Sequence, residues 1–236
     1  MREPTAPHSS AFAETWAQFC ALESTLGPTH DAIASWRRGR ERYAVWALRV
    51  RDPVVGDRMD TVAARLTDAI VPVRKDDAHI TAWVCGFLCA TPAFDDDVAE
   101  AIIAAQCRAV AQSPRPRLLV GAANAFATCA FLEVHDPHGD LAALRATLAV
   151  PGAKEVRFAR YRPHVTVGRF VDTRPAAPIA AVLESLRSAL VELRAVRDLD
   201  LELIELDARA PDRLTTIWPQ YRRNAAAAAA PPGPPP

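Results

Sequence analysis

Two stretches of this chain repeat one another, and that repeat limits the fold more than any other feature. ALRVRDPVVGDRMDTVAARL begins at Ala47, and FLEVHDPHGDLAALRATL begins at Phe131. Each runs from an apolar strand pattern into Val-x-Asp-Pro (Val50, Asp52 and Pro53; Val134, Asp136 and Pro137). Each continues through Gly-Asp (Gly56-Asp57; Gly139-Asp140) into an amphipathic helical pattern. A second strand pattern then opens with His-x-Thr. His79 lies 27 positions after Asp52, and His164 lies 28 after Asp136. A duplicated strand–helix–strand unit has to bury the same faces twice. Two such units related by pseudo-two-fold symmetry would present both His-x-Thr motifs to one central groove.

Side chains alternate along a strand, so residues i and i+2 share a face. His79 and Thr81 then point one way, with Ile80 and Ala82 in the core. His164 and Thr166 pair in the same manner over Val165 and Val167. Two such units facing one groove place two imidazoles and two hydroxyls together. Phosphodiester hydrolysis uses those groups. One imidazole activates water, the other donates a proton to the leaving ribose oxygen, and both titrate near neutrality. The hydroxyls hydrogen-bond the non-bridging oxygens as charge builds. The scheme calls for no cofactor. Neither motif supplies carboxylate or thiol ligands, so no metal is predicted.

At these residues the chain resembles the 2H phosphoesterase superfamily, in particular the bacterial 2′-5′ RNA ligase / RNA 2′,3′-cyclic phosphodiesterase branch. The resemblance covers about residues 43 to 221. The family's first motif typically reads His-x-Thr-Leu-x-Phe-Leu-Gly; here it is His79-Ile-Thr81-Ala-Trp83-Val-Cys85-Gly86. The second typically reads Pro-His-x-Thr-Leu-Ala-Arg; here it is Pro163-His164-Val-Thr166-Val-Gly168-Arg169. The resemblance implies the α+β class, a two-lobed pseudo-symmetric duplicated fold with antiparallel sheets and flanking helices around a central groove. It also implies hydrolysis of cyclic or 2′-5′ phosphodiesters, and in some members reversible ligation of RNA ends. His79, Thr81, His164 and Thr166 would be catalytic. Four further residues are candidates for substrate binding. Trp83 shares a face with His79 by alternation, and would either stack a base or pack between lobes. Arg169 lies at odd parity from His164 and joins the site only if its strand ends or bulges. Tyr161 and Arg162 precede the second motif with Arg160. They would reach a phosphate or base, or else form a solvated strand entry.

The remaining patterns set the frame. Lys plus Arg and Asp plus Glu are both 28. This balance favours a nucleotide or RNA-terminal cyclic phosphate over a long nucleic acid gripped by its phosphates. Five cysteines without a Cys-x-x-Cys pair point to buried thiols in a reducing compartment. MREPTAPHSSAF lacks an apolar signal core, and no apolar run reaches membrane length. A cytoplasmic monomer without membrane contact is the expectation.

Residues 1–42 form an expected helical extension, with Trp16, Phe19 and Leu22 at helical spacing and a second helix from Asp31 to Arg42. Residues 43–221 form the main domain, and 222–236 an Ala/Pro tail too poor in core residues to order. Asp95-Asp96-Asp97 reads as the cap of a helix running to Gln112. Arg37, Arg38, Arg40 and Arg42 read as a charged helix face. His135 and His138 read as a surface loop for want of a third metal ligand. Three other readings stay open: a binding module for RNA ends or nucleotides without turnover, and phosphodiesterases for ADP-ribose cyclic phosphate or for cyclic dinucleotides.

Overall fold

The computed structural model describes residues 10–156, 160–190, 192–196, 199–207 and 214–216. In chain order the elements begin with α1 (Ser10–Cys20), α2 (His30–Arg37), β1 (Arg42–Arg49), α3 (Pro53–Arg65) and β2 (Ile70–Pro72). A 3-10 turn (Lys75–Asp77) leads into β3 (His79–Cys89), β4 (Asp97–Ala99) and α4 (Glu100–Val110). Then come β5 (Leu118–Phe126), β6 (Cys129–His135), α5 (Asp140–Leu148), β7 (His164–Phe170) and α6 (Ala176–Ala189). The last are β8 (Arg194–Val196), β9 (Asp200–Asp207) and β10 (Leu214–Thr216).

One sheet runs β10-β9-β1-β3-β7-β6-β5-β8, with β2 added to β7 and β4 to β3. Among the described residues, only the short β3–β4 pair is parallel. The duplication is visible in the pairing. β1–α3–β3 and β6–α5–β7 are the two copies, each with its first strand antiparallel to its last. The lobes join where β3 meets β7, at Ile80 opposite Val165.

The repeated Asp-Pro serves local structure in both copies. Asp52 accepts the backbone N–H of Val54 and Val55, and Pro53 opens α3 with its missing donor where none is needed. Asp136 accepts the N–H of Ala142 in α5. Helices α3 to α6 press Met59 and Val62, Ile103 and Cys107, Leu141 and Leu148, and Ile179 and Leu183 onto one sheet face. Trp46, Leu48, Ile80, Leu132 and Val165 meet them from the strands. Trp46 donates its Nε1–H to Gln106, which donates in turn to the Leu148 carbonyl, so these two buried side chains are matched. On the opposite face a smaller cluster of Tyr43, Val45, Ala47, Val84, Phe87 and Ile204 lies under Trp36 of α2.

Several local expectations change. Strands β2, β4 and β8 are too short to leave a periodic signal. Asp97 lies in β4, and α4 starts only at Glu100 without a side-chain cap. The acidic triplet therefore does not cap a helix. Asp96 and Asp97 both grip Arg40 at 2.5 Å, and Asp97 accepts the N–H of Ala93 and Phe94. The arginine cluster is likewise not one charged helix face. α2 ends at Arg37, Arg38 turns left-handed (φ 47°), and Arg40 stacks on Phe87 at 3.9 Å. Among the described residues no helix is long and apolar enough to cross a membrane. The Ala/Pro tail, and the strand expected at Thr215 to Trp218 beyond Thr216, lie outside the described residues.

Candidate active site

The register at the lobe junction assembles the motifs. Ile80 faces Val165 in an antiparallel pair, so the residues flanking one face those flanking the other. His79 thus sits across from Thr166, and Thr81 across from His164. Directly opposed Cβ atoms lie about 5 Å apart and diagonal ones about 7–8 Å. The four side chains therefore occupy the corners of one small square. Ile80 and Val165 are fully buried beneath it, while all four motif side chains are half-buried.

Both imidazoles are oriented in the same way. His79 Nδ1 lies 2.8 Å from the Asp77 carbonyl oxygen, and His164 Nδ1 lies 2.7 Å from the Arg162 carbonyl oxygen. A carbonyl only accepts, so each Nδ1 carries the hydrogen and each Nε2 keeps its lone pair. The repeat thus preserves the carbonyl two residues upstream as well as the motif itself.

Burial disfavours a charged imidazole at both positions. It lowers the His79 pKa below the ordinary 6.5, and the nearby cations Arg49 and Arg169 lower it further. Burial pushes His164 down to about 4, with His79 adding to the effect. Both rings are therefore neutral near pH 7. The sign of the linkage follows. Between about pH 6.5 and 4 the unfolded chain binds protons that the native His164 does not, so stability falls as pH falls through that window. Thermal melting at pH 7 and pH 4.5 checks this. The drop in melting temperature is expected to be smaller in His164→Asn than in the native chain.

A β-bulge follows each motif, three residues after the histidine. On β3, Trp83 pairs with Trp46 and Thr81 with Ala47, leaving Ala82 extra. On β7, Gly168 pairs with Ala130 and Thr166 with Phe131, leaving Val167 extra. A bulge shifts alternation by one residue. Trp83 is consequently turned into the main core at 8% exposure, and simple alternation fails for it. Arg169 is turned the other way, onto the face of His164 and near His79.

The structure gives the residues before the second motif bracing roles. Tyr161 donates its hydroxyl to the Thr81 carbonyl at 2.6 Å, under the Arg145 guanidinium at 3.7 Å. Burial raises its phenol pKa and keeps it neutral. Arg160 and Arg162 reach Glu14 of α1 at 2.7 and 3.2 Å. Sequence reasoning missed Phe126 and Phe131, whose rings lie 5.1 Å from that of His164. It also missed Arg49, which faces His79 across the β1–β3 ladder. An arginine inside the apolar run YAVWALRV was the available signal for it. His135 packs on Phe12 and lies 3.6 Å from Glu133. Among the described residues no group of three or more His, Cys, Asp or Glu is placed to hold a metal ion.

The family model of the 2′-5′ RNA ligase superfamily matches residues 52–207. No curated protein matches by sequence. Similar solved structures include E. coli LigT complexed with 3′-AMP, at 17% identity and TM-score 0.49, covering 75% of this chain and 95% of that one. A structure described as a phosphoesterase is 17% identical at TM-score 0.47, covering 75% and 94%. A Thermus thermophilus protein, TT0787, is 12% identical at TM-score 0.44, covering 74% and 94%.

Proposed function

Because the chain belongs to the 2′-5′ RNA ligase superfamily, we propose that it hydrolyses 2′,3′-cyclic phosphates of RNA ends or nucleotides, or 2′-5′ linkages, by metal-independent two-histidine catalysis. The observation that supports the reading is the Ile80–Val165 register, which sets the two motifs side by side, each histidine with Nδ1 turned to a backbone carbonyl. In the proposed step, one neutral imidazole takes a proton from water as its oxygen attacks phosphorus. The other imidazole, protonated, gives its proton to the ribose oxygen as the P–O bond breaks. The substrate anion favours that protonated ring, since an opposite charge a few ångströms away offsets burial. Thr81 and Thr166 donate to the non-bridging oxygens.

Incubation with 2′,3′-cyclic AMP in excess EDTA, followed by product identification, tests the reading. A nucleoside monophosphate formed by the native chain and not by the His79→Ala/His164→Ala double variant is the expected result. Binding of the cyclic phosphate without product would instead favour a binding module. Turnover of ADP-ribose cyclic phosphate or a cyclic dinucleotide alone would move the substrate class. Arg169 gives a further check. Replacing it with Met should lower kcat/KM by about ten- to a hundredfold, the worth of one charge-assisted hydrogen bond to phosphate.

A further inference from the structure

The two copies differ at one pair of equivalent positions beside the histidines. Arg49 faces His79 across β1 and β3, and Glu133 faces His164 across β6 and β7. Both precede the repeated Asp by three residues. Glu133 is well matched. Asn124 donates to it at 2.8 Å, as does Arg187, and His135 stands 3.6 Å away. Arg49 is matched on one side only. Its Nε donates to Glu202 at 2.8 Å, while Nη1 has no hydrogen-bond partner among the described residues and lies 3.7 Å from the Asp77 carboxylate. Its side chain is 9% exposed, so water does little to screen it.

Cross-strand neighbours share a sheet face, which puts this fixed cation beside the His79 ring. A guanidinium keeps its charge at every accessible pH. The residue that Arg49 approaches through Nη1 is also the one whose carbonyl takes the His79 Nδ1 hydrogen. Arg49 thus touches both the charge and the tautomer of His79.

We propose that Arg49 is a positioning residue for His79: fixed between Glu202 and Asp77, its cation stands beside the imidazole, adds to burial in keeping it neutral, and steadies the turn whose carbonyl fixes its tautomer. Each element around His79 contributes a charged or titratable group. Asp77 comes from the 3-10 turn, Glu202 from β9 behind Arg49, and His164 and Arg169 from β7. Asp77 favours the charged ring and Arg169 opposes it. Glu202 is itself shared with Arg51 and Thr216, which leaves the Arg49 charge only partly offset.

The inference rests on the proposed hydrolysis for its kinetic arm alone. NMR titration of the His79 ring reads it without turnover. In Arg49→Met the His79 midpoint should rise by about 1 pH unit, because removing a neighbouring cation favours imidazolium. Arg49→Lys should stay near the native midpoint. Arg49→Gln, which can still bond Glu202 and so protects the fold, should rise with Met. If the hydrolysis reading holds, the limb of the kcat/KM–pH profile governed by His79 moves upward by the same amount in both uncharged variants. A folded Met or Gln variant with an unmoved His79 midpoint overturns the proposal. A risen midpoint without turnover on any substrate supports Arg49 and removes the hydrolase.

Discussion

Alanine at His79 or at His164 should each lower kcat for 2′,3′-cyclic AMP by about a thousandfold, with melting temperature nearly unchanged. Positioned acid–base groups typically contribute about 10²–10⁴-fold, and each histidine is one half of a proton relay. The two single losses should not add. Once either proton transfer is missing, the other histidine has little left to assist, so the double variant should resemble the worse single one. The fold should survive, because both rings are half-buried and each gives up one hydrogen bond to a carbonyl. Product formation measured in EDTA, beside a thermal melt, checks both halves. Full activity in either single variant would end the two-histidine account.

Gly86→Ala should destabilise the chain by about 3 kcal/mol or more, the range of strained backbone and overpacked sites. Gly86 has φ 109°, which L side chains rarely adopt. An added Cβ would also fall close to the Asp96 carbonyl oxygen and 3.2 Å from Val156. That carbonyl accepts the Phe87 N–H at 2.8 Å, so it cannot retreat without breaking the contact that docks the acidic turn on β3. For a domain of this size the loss corresponds to a fall in melting temperature of roughly 6–12 °C. A melt within about 2 °C of the native chain would show that the loop has room to give, and that the motif glycine is not held there by conformation.

Much of the site was legible in advance because it depends on short-range rules. Duplication pointed to two equivalent elements, and period-two alternation put His79 with Thr81 and His164 with Thr166. The next residues were harder. Trp83 and Arg169 were assigned by the same alternation, yet each lies beyond a bulge. A bulge depends on the register of the partner strand, which spacing along one strand does not contain. The bulge on β3 takes Trp83 off the face that alternation gave it and into the core, and the bulge on β7 meets the condition set for Arg169 and turns it to the site face. The acidic triplet misled for a related reason. Three aspartates before an apolar helix look like a cap, but Arg40, distant in sequence, claims Asp96 and Asp97.

The sequence by itself determined the duplicated unit, the two His-x-Thr pairs, the Asp52 cap of α3 and, through the spelling of the two motifs, the resemblance to a family. Periodicity and capping act within a few residues, so these features need no distant partner. Tertiary structure alone decided that Ile80 meets Val165, that bulges redirect the side chains beyond each motif, and that Arg49 and Glu133 stand beside different histidines. Those relations come from strand pairing between segments far apart in the chain. There, hydrogen-bond register and the burial of the opposite face choose the neighbour.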